Sequence, residues 1–290
     1  MFEKVNPFHP DKVADRIAGA IVDVAYAQAD GGTLRSNPRI AVEVLIGHNV
    51  VTVMIETSLS RGELSRHDVS QVLDRLCPYV PFLNRHIYIA GQDVYLSRNQ
   101  QKGVRVGDNG IFRGCPVTDE QHKLTALAKN LTERYSSDGK YILDGQKVII
   151  CQSNMSQAAA EHYAADLTSV GLEPVINPLG EWTGGTSVDC GATKRKLGSD
   201  MGDAVTGGGL HGKDLSKADV SVNIVCHIKA QASGQVVTAC TAIGDTEVTF
   251  RYADGRTEQE PFAAIVEKAR GYIISQHGTF EDFAKWGLIV

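Results

Sequence analysis

The chain has 290 residues, of which 42% are hydrophobic and 22% charged, as in ordinary globular proteins. Its formal net charge of −5 argues against a nucleic-acid partner, and its apolar runs are too short to cross a membrane. The six cysteines lack the CxxC spacing of a zinc site, and several lie in apolar runs. We therefore expect reduced, buried thiols and a cytoplasmic protein.

The hydrophobic periodicity predicts three successive rounds of helix, hairpin and helix. The first round has helices at residues 10–29 and 62–76, with strands at 39–46, 50–57 and 86–90. The second has helices at 118–134 and 156–170, with strands at 140–143, 147–152 and 173–176. The third has helices at 215–230 and 261–276, with strands at 235–243 and 247–252.

These rounds begin roughly a hundred residues apart, which is too long a period for a solenoid. The predicted fold class is α+β, with three related subdomains that each pack helices on one face of a small sheet. We place the subdomains at residues 1–96, 97–178 and 179–290. A glycine-rich loop at 97–110 opens the second, and another at 180–213 opens the third.

The first predicted helix begins at the tetrapeptide His9-Pro10-Asp11-Lys12. Helix N-termini favour anions through their free N–H groups and dipole, and Pro suits the first helical position. An imidazole, a carboxylate and an ammonium at this point indicate a site for a metal and a phosphate. An ordinary helix start with a surface histidine and lysine is the alternative, since each residue is common there.

The second glycine-rich loop ends in a sequence that partly matches a P-loop. Gly207 to Lys213 has the GxxxxGK spacing, but Asp214 stands where a P-loop has Ser or Thr, and no apolar strand precedes the motif. Its glycines allow backbone N–H groups to close on an anion, Lys213 adds charge, and Asp214 is free to bind a divalent cation. The run Lys194-Arg195-Lys196 indicates either a solvated face or a polyphosphate site.

Two acidic residues lie in the first predicted hairpin. Glu43 is in the middle of an apolar strand, and Glu56 ends the next strand. An acid in so apolar a strand is costly unless it is paired or metal-bound. If both border one cavity, one binds a cation and the other a substrate ammonium. Outward-facing carboxylates are the alternative, because side chains alternate along a strand.

These residues belong to an ordered set of segments that resembles the methionine adenosyltransferases, or S-adenosylmethionine synthetases. In chain order, the family's motifs match Glu3 with His9-Pro10-Asp11-Lys12-Val13-Ala14-Asp15, Arg39-Ile40-Ala41-Val42-Glu43, Glu56-Thr57, Gly107-Asp108-Asn109-Gly110, Ile176-Asn177-Pro178 with Asp189 to Lys196, and Gly207 to Asp219. The matches span nearly the whole chain. The family's three repeated α+β subdomains also agree with the three rounds.

The resemblance implies that methionine sulfur attacks C5′ of ATP in an SN2 step, which gives S-adenosylmethionine and expels triphosphate. The family then hydrolyses triphosphate to pyrophosphate and phosphate. Since a thioether sulfur is already nucleophilic, catalysis depends on alignment and on stabilising the departing charge. The implied partners are ATP, L-methionine and a second copy of the chain, with active sites at the homodimer interface. A dimer of dimers remains open.

The resemblance also assigns residues to the nucleotide. His9 contacts the bridging O5′ oxygen, and Lys140 is the catalytic lysine, with Lys147 as the alternative if the hairpin alignment shifts. The basic residues that bind phosphates are Arg195, Lys196 and Lys213. Two of these, Arg195 and Lys213, are also expected to be catalytic.

The implied cofactors are two Mg²⁺ ions and K⁺. Asp11 and Asp214 would hold magnesium, and Glu43 would contact potassium. The residues assigned to methionine are Glu56, Asp189 and Asp108, the last of which also contacts the adenosine.

Several positions depart from the family pattern. The chain is shorter than typical members, and residues 97–106, which would gate the site, lack the family's loop sequence. Lys194 replaces a glycine of the TGRK motif, and Val220 replaces an arginine. Two alternatives to an active synthetase therefore stay open. One is a non-catalytic, nucleotide-binding paralogue that regulates a true synthetase; the other is a P-loop-type phosphotransferase, which lacks the hydroxyl after Lys213.

Overall fold

The computed structural model describes residues 1–29, 37–100 and 102–290. Its strands are β1 (Phe2–Val5), β2 (Ile40–Gly47), β3 (Val50–Thr57), β4 (Arg85–Gly91), β5 (Gly110–Gly114), β6 (Gly139–Asp144), β7 (Lys147–Gln152), β8 (Glu173–Ile176), β9 (Cys190–Ala192), β10 (Val237–Thr241), β11 (Glu247–Tyr252) and β12 (Thr257–Pro261). Its helices are α1 (Pro10–Ala29), α2 (Arg66–Leu76), α3 (Val94–Gln100), α4 (Asp119–Arg134), α5 (Gln157–Ser169), α6 (Leu197–Met201), α7 (Ala218–Ser233), α8 (Phe262–Gln276) and α9 (Phe280–Trp286). None of these helices is long and apolar enough to cross a membrane.

The described strands form three four-stranded sheets. Sheet A has the order β1-β6-β7-β8, sheet B has β4-β3-β2-β9, and sheet C has β12-β11-β10-β5. Helices α4 and α5 pack on sheet A around one apolar core. Sheets B and C share a larger core with α1, α2, α7, α8 and α9. The predicted α+β class, in which small sheets are covered by helices, is confirmed.

Each sheet takes one strand from another of the three predicted subdomains. Strand β1, from residues 1–96, pairs with β6 in sheet A; β5, from 97–178, pairs with β10 in sheet C; and β9, from 179–290, pairs with β2 in sheet B. The subdomain boundaries stay a prediction. The exchange nevertheless brings segments that are remote in sequence to the start of α1.

Helix starts follow local capping chemistry. Thr118 caps α4 in a capping box with Gln121, as the sequence predicts. Ser65 caps α2 in the same way with Asp68, so α2 begins later than the predicted residue 62. The side-chain hydroxyl in each case satisfies a backbone N–H that has no partner within the helix.

Two predicted loops contain regular structure. The prediction of a loop at 97–110 is wrong for residues 97–100, which belong to α3; residue 101 lies outside the described residues. Helix α3 begins after Asp93, whose carboxylate accepts the Tyr95 N–H at 2.9 Å. The loop at 180–213 contains β9 and α6. These elements are too short for a hydrophobic period to identify them.

A buried histidine gives α7 a pH-dependent contribution to stability. His227 is 8% exposed, and its ring packs edge-on against Tyr272 with 5.9 Å between centroids. Burial lowers the pKa of His227 from 6.5 to about 4. Between these values the unfolded chain binds a proton that the folded chain does not, so the free energy of unfolding falls as the pH drops.

We expect His227→Gln to flatten this acid dependence by up to about 1.4 kcal/mol per pH unit between pH 6.5 and 4. Urea unfolding at a series of pH values measures the slope. His122→Gln, at an exposed position of α4, is the matched control and should keep the wild-type slope. A wild-type slope in His227→Gln would show that this histidine does not titrate as described.

Candidate functional site

A histidine caps the N-terminus of α1. The His9 carbonyl accepts the Val13 N–H at 2.9 Å, and the His9 Nδ1 atom accepts the Asp11 N–H at 3.2 Å. Burial, together with the charge of Lys196, holds the pKa of His9 below its ordinary value of 6.5. The ring is therefore neutral near pH 7. Since Nδ1 is an acceptor, the proton lies on Nε2, which can donate it in a hydrogen bond to a ligand.

Strand β9 lies directly against this helix start. A Cβ atom on Gly191 would lie 2.1 Å from the Pro10 carbonyl oxygen, so only glycine permits the approach. Asp11, which is 2% exposed, accepts the Ala192 N–H at 2.9 Å. This contact holds the basic residues that follow β9 beside the start of α1.

Two of those basic residues pair with Asp11. Lys196 Nζ lies 2.6 Å from one carboxylate oxygen, and Arg195 lies 3.5 Å from the other. Burial alone would raise the pKa of Asp11, but hydrogen bonds from Lys196 and Ala192 outweigh it and leave the pKa below its ordinary value. The structure thus brings two predicted phosphate-binding residues to a predicted magnesium ligand.

Strand β1 brings a lysine of β6 to the same place. Lys140 pairs in register with β1, and its Nζ lies 3.1 Å from the Glu3 carboxylate. Its charge contributes, after burial and Lys196, to the lowered pKa of His9. Lys147 lies instead beside the hairpin turn at the other end of the strand pair. Of the two candidate lysines, the geometry favours Lys140.

Two further carboxylates, those of Asp138 and Asp189, lie near Asp11 and its basic partners. Asp138 accepts the Gly185 N–H at 3.1 Å, and burial, with the charges of Asp189 and Asp11, raises the pKa of Asp138 to about 6. Magnesium prefers oxygen ligands of this kind, so Asp11 and Asp138 are candidate ligands, although Lys196 and Arg195 already pair with Asp11. The family resemblance assigned no role to Asp138, although this residue lies only two positions before Lys140.

A cavity of about 640 Å³ opens beside Asp138. Its walls include Phe8, Tyr79, Asn154 and Gly185. Ligand pockets in proteins commonly have volumes of roughly 300–1,000 Å³, so this space is large enough for a nucleoside.

Asp214, the second predicted magnesium ligand, lies elsewhere. It is fully buried, and its two carboxylate oxygens accept the N–H groups of Ile40 and Ser216, both at 2.8 Å. These bonds fasten β2 to the segment that follows the glycine-rich loop. Among the described contacts none joins Asp214 to Asp11, and the geometry supports a structural role for Asp214.

Lys213 pairs with a different acid. Its ammonium contacts the Asp219 carboxylate in the first turn of α7 and donates to the Gly208 carbonyl at 3.2 Å. The Asp219 side chain is 20% exposed, so this carboxylate is more accessible than that of Asp214. The family resemblance assigned no role to Asp219, although an acid in the first turn of a helix after a glycine run was an available signal.

Glu43 already has a cationic partner. Lys194 Nζ forms a close ion pair with its carboxylate, and the Thr193 hydroxyl donates to its other oxygen. The donor set at Glu43 therefore does not fit the potassium ion that the family resemblance implies.

The residues assigned to methionine are widely separated in one chain. In sheet B, Cys190 pairs with Gly47 at one end, which places Asp189 there, whereas Glu56 pairs with Ala41 near the other end. At a strand rise of about 3.4 Å per residue, roughly 20 Å separates Asp189 from Glu56. A single methionine cannot contact both. Lys213 also lies at the Glu56 end, through its bridge to Ala41.

Asp108 lies apart from both ends of sheet B. It precedes β5 in sheet C, where its carboxylate accepts the Asn109 N–H at 2.7 Å and its carbonyl accepts the Thr241 hydroxyl at 3.2 Å. Asp108 is exposed. Its described contacts do not bring it to His9.

The outer face of sheet B is exposed and largely apolar. Leu45, Met54 and Tyr88 are 57%, 58% and 53% exposed. Glu43 and Glu56 lie on the same face, because Glu43 pairs with Met54 and side chains alternate along each strand. Contiguous apolar surface of this kind commonly marks an interaction site.

A buried ion cluster lies behind the start of α1. Lys12 Nζ is 3.2 Å from Asp15, 2.7 Å from Asp200 and 3.4 Å from His211. All four side chains are at most 2% exposed. The acids and histidine have the arrangement of a metal site, but the Lys12 ammonium already supplies the positive charge. The cluster joins α1 to α6 and to the glycine-rich loop.

The chain is similar in sequence to curated S-adenosylmethionine synthases, although no protein-family model matches it. It is 27% identical over 312 residues to S-adenosylmethionine synthase 1 of Rhodopseudomonas palustris, which covers 89% of this chain and 78% of that protein. It is 28% identical over 317 residues to the synthase of Acidiphilium cryptum, with 87% and 78% covered.

The fold is similar to that of an S-adenosylmethionine synthetase from Campylobacter jejuni that is described as unusual. The TM-score is 0.68 at 16% sequence identity, and the match covers 99% of this chain and 93% of the other. The match therefore extends over all three helix-covered sheets. The chain thus resembles the S-adenosylmethionine synthetases both in sequence and in fold.

Proposed function

We propose that the protein is a methionine adenosyltransferase that converts ATP and L-methionine into S-adenosylmethionine, pyrophosphate and phosphate. The observation that carries this proposal is the convergence of three cationic side chains and three carboxylates around His9. The cations are Lys140, Arg195 and Lys196. The carboxylates are Asp11, Asp138 and Asp189.

The chemistry requires alignment and charge stabilisation, and it requires no base. The methionine sulfur forms a bond to C5′, and the C5′–O5′ bond breaks with its electron pair on the departing triphosphate. His9 Nε2–H donates a hydrogen bond to O5′ as negative charge develops there. Lys140, Arg195 and Lys196 hold the triphosphate, where fixed positive charge stabilises the transition state. Asp189 receives the methionine ammonium.

Asp11 is the residue that would hold magnesium, with Asp138 and Asp189 beside it. A bound Mg²⁺ ion neutralises phosphate charge in such sites. Lys196 then has two roles, because its ammonium holds the Asp11 carboxylate in the structure and lies where a phosphate would be bound. The cavity beside Asp138 is our candidate for the nucleoside.

A second copy of the chain completes the site in this proposal. Glu56 and Lys213 lie roughly 20 Å from Asp189 along sheet B, so they serve the methionine and phosphates only when a partner presents them. The apolar outer face of sheet B, with Leu45, Met54 and Tyr88, is the surface we propose for pairing. A homodimer paired through one self-complementary face has two such sites.

We expect light scattering to give twice the chain mass of 31.3 kDa, and Met54→Glu to shift the population to monomer. A charge at this position would be buried without a partner and beside Glu43 of the same face. Val170→Glu, at a residue 72% exposed after α5, is the matched control and should stay dimeric. A wild-type monomer with full turnover would contradict the shared site.

The product assay tests the activity itself. The folded protein is incubated with ATP, methionine and magnesium, and S-adenosylmethionine is measured by mass spectrometry alongside the phosphorus products. We expect a methionine-dependent sulfonium product, with pyrophosphate and phosphate in equal amounts. Folded protein that yields no sulfonium product at high enzyme concentration would contradict the proposal.

One observation favours a second candidate, a nucleotide-binding paralogue without turnover. Val220 is fully buried in α7 at the position where the family motif has an arginine, so it supplies no charge to the site. Residues 94–100 also form a short helix near the start of the shortened gating segment. This candidate predicts calorimetric binding of ATP with no sulfonium product in the same assay.

A further inference from the structure

An internal cation lies at the position where the family resemblance places a potassium ion. The TGRK motif of the family reads Thr193-Lys194-Arg195-Lys196 in this chain, so a lysine stands in place of a glycine. Lys194 Nζ contacts the Glu43 carboxylate, and the Thr193 hydroxyl holds the other oxygen. We propose that the Lys194 ammonium replaces the potassium ion, so that this protein neutralises Glu43 without binding a monovalent cation.

The backbone at Lys194 supports a specific role for its side chain. Its φ angle is +63°, in the left-handed region that glycine adopts freely and residues with a Cβ atom rarely adopt. The Lys194 N–H donates to the Asp15 carboxylate at 2.8 Å, which fixes the backbone in this conformation. Glycine would occupy the position without strain. The contact with Glu43 is the gain that offsets the strain of a lysine.

The surroundings are shaped around the lysine. The Lys194 side chain is only 12% exposed, although Glu43 is 57% exposed. A Cβ atom on Gly209 would lie 2.8 Å from Lys194 Cγ, so the glycine-rich loop packs directly on the lysine stem. The ammonium is therefore held at Glu43 by packing on its own side chain as well as by charge.

The local charges leave no place for an added cation. Lys194 pairs with Glu43, and Lys213 pairs with Asp219. The two lysines lie near enough for the charge of Lys213 to contribute, after burial, to a lowered pKa of Lys194. A potassium ion at Glu43 would add a positive charge beside a carboxylate that the Lys194 ammonium already neutralises. One ammonium carries the same single charge as one K⁺ ion.

The test compares melting temperatures in potassium chloride and in choline chloride at equal ionic strength. An ion that binds only the folded state raises the melting temperature, and the rise grows with the logarithm of the ion concentration. We expect the wild-type melting temperature to be the same in both salts. We expect Lys194→Gly, which removes the strained side chain and frees Glu43, to melt several degrees higher in potassium chloride. Glu43→Gln added to Lys194→Gly should abolish this gain.

Lys102→Gly, at an exposed lysine, is the matched control and should melt alike in both salts. A wild-type protein stabilised by K⁺ over choline would overturn the inference, and so would a folded Lys194→Gly that ignores K⁺. If Lys194→Gly does not fold, Lys194→Asn takes its place, since asparagine tolerates the left-handed region. The inference rests on the proposed synthetase function, whose family resemblance assigns potassium to Glu43, but the melting temperature does not depend on turnover. A protein without synthetase activity would therefore still give an interpretable result in the melting experiment.

Discussion

Lys12→Met is expected to lower the free energy of unfolding by about 3–5 kcal/mol, the typical cost of removing one partner from a buried ion pair. The substitution leaves the carboxylates of Asp15 and Asp200 together in a fully buried place with no ammonium between them. The loss of stability affects more than α1, because Asp200 belongs to α6 and His211 belongs to the glycine-rich loop. Urea unfolding followed by circular dichroism measures the change.

Lys123→Met, at an exposed position of the helix α4, is the matched control and should change stability by less than about 0.5 kcal/mol. Adding Asp15→Asn and Asp200→Asn to Lys12→Met should recover part of the loss, because the uncompensated charges are then gone. A loss below about 1 kcal/mol in Lys12→Met alone would mean that the cluster is not the buried ionic link described.

His9→Ala is expected to reduce turnover by about 10²–10³-fold, the usual effect of removing one hydrogen-bond donor that acts on developing charge. The affinity for ATP should change much less, because the Nε2–H contact with O5′ strengthens only as the C5′–O5′ bond breaks. Steady-state kinetics give turnover, and calorimetry gives ATP affinity.

The control for this variant is His162→Ala, whose side chain is 82% exposed on α5 and lies outside the proposed site. It should retain wild-type turnover. An equal loss of turnover and of ATP affinity in His9→Ala would indicate ground-state binding in place of leaving-group stabilisation. Circular dichroism is needed for both variants, because His9 also caps α1.

The long elements could be predicted because local chemistry alone specifies them. Helix α1 shows a helical period from its first residue to its last described one, and α4 has a complete capping box at Thr118. The hairpin of β6 and β7 follows from the turn at Asp144-Gly145. Strands β1, β5 and β9 could not be predicted, since each lies outside a local hairpin and pairs with a strand far along the chain.

The site could be predicted in composition but only partly in arrangement. The motif order selects His9, Asp11 and the basic residues after β9 as candidates, and the exchanged strands bring these together. Spacing could not distinguish Asp214 from Asp219, which lie only five residues apart before and at the start of α7. The Asp214 carboxylate is buried and accepts two backbone N–H groups, whereas the Asp219 carboxylate is partly exposed. The sequence marks Lys194 as part of a basic run and as a departure from a motif, but it does not reveal the ion pair with Glu43.

The central claim, that this site breaks the C5′–O5′ bond of ATP, is tested most directly with ATP carrying ¹⁸O at the bridging O5′ position. The protein is incubated with this ATP, methionine and magnesium, and the phosphorus products and nucleoside products are analysed by mass spectrometry. Our account predicts S-adenosylmethionine without the label and the ¹⁸O in the polyphosphate products. Label that stays on the adenosine would show cleavage at phosphorus and would contradict the account.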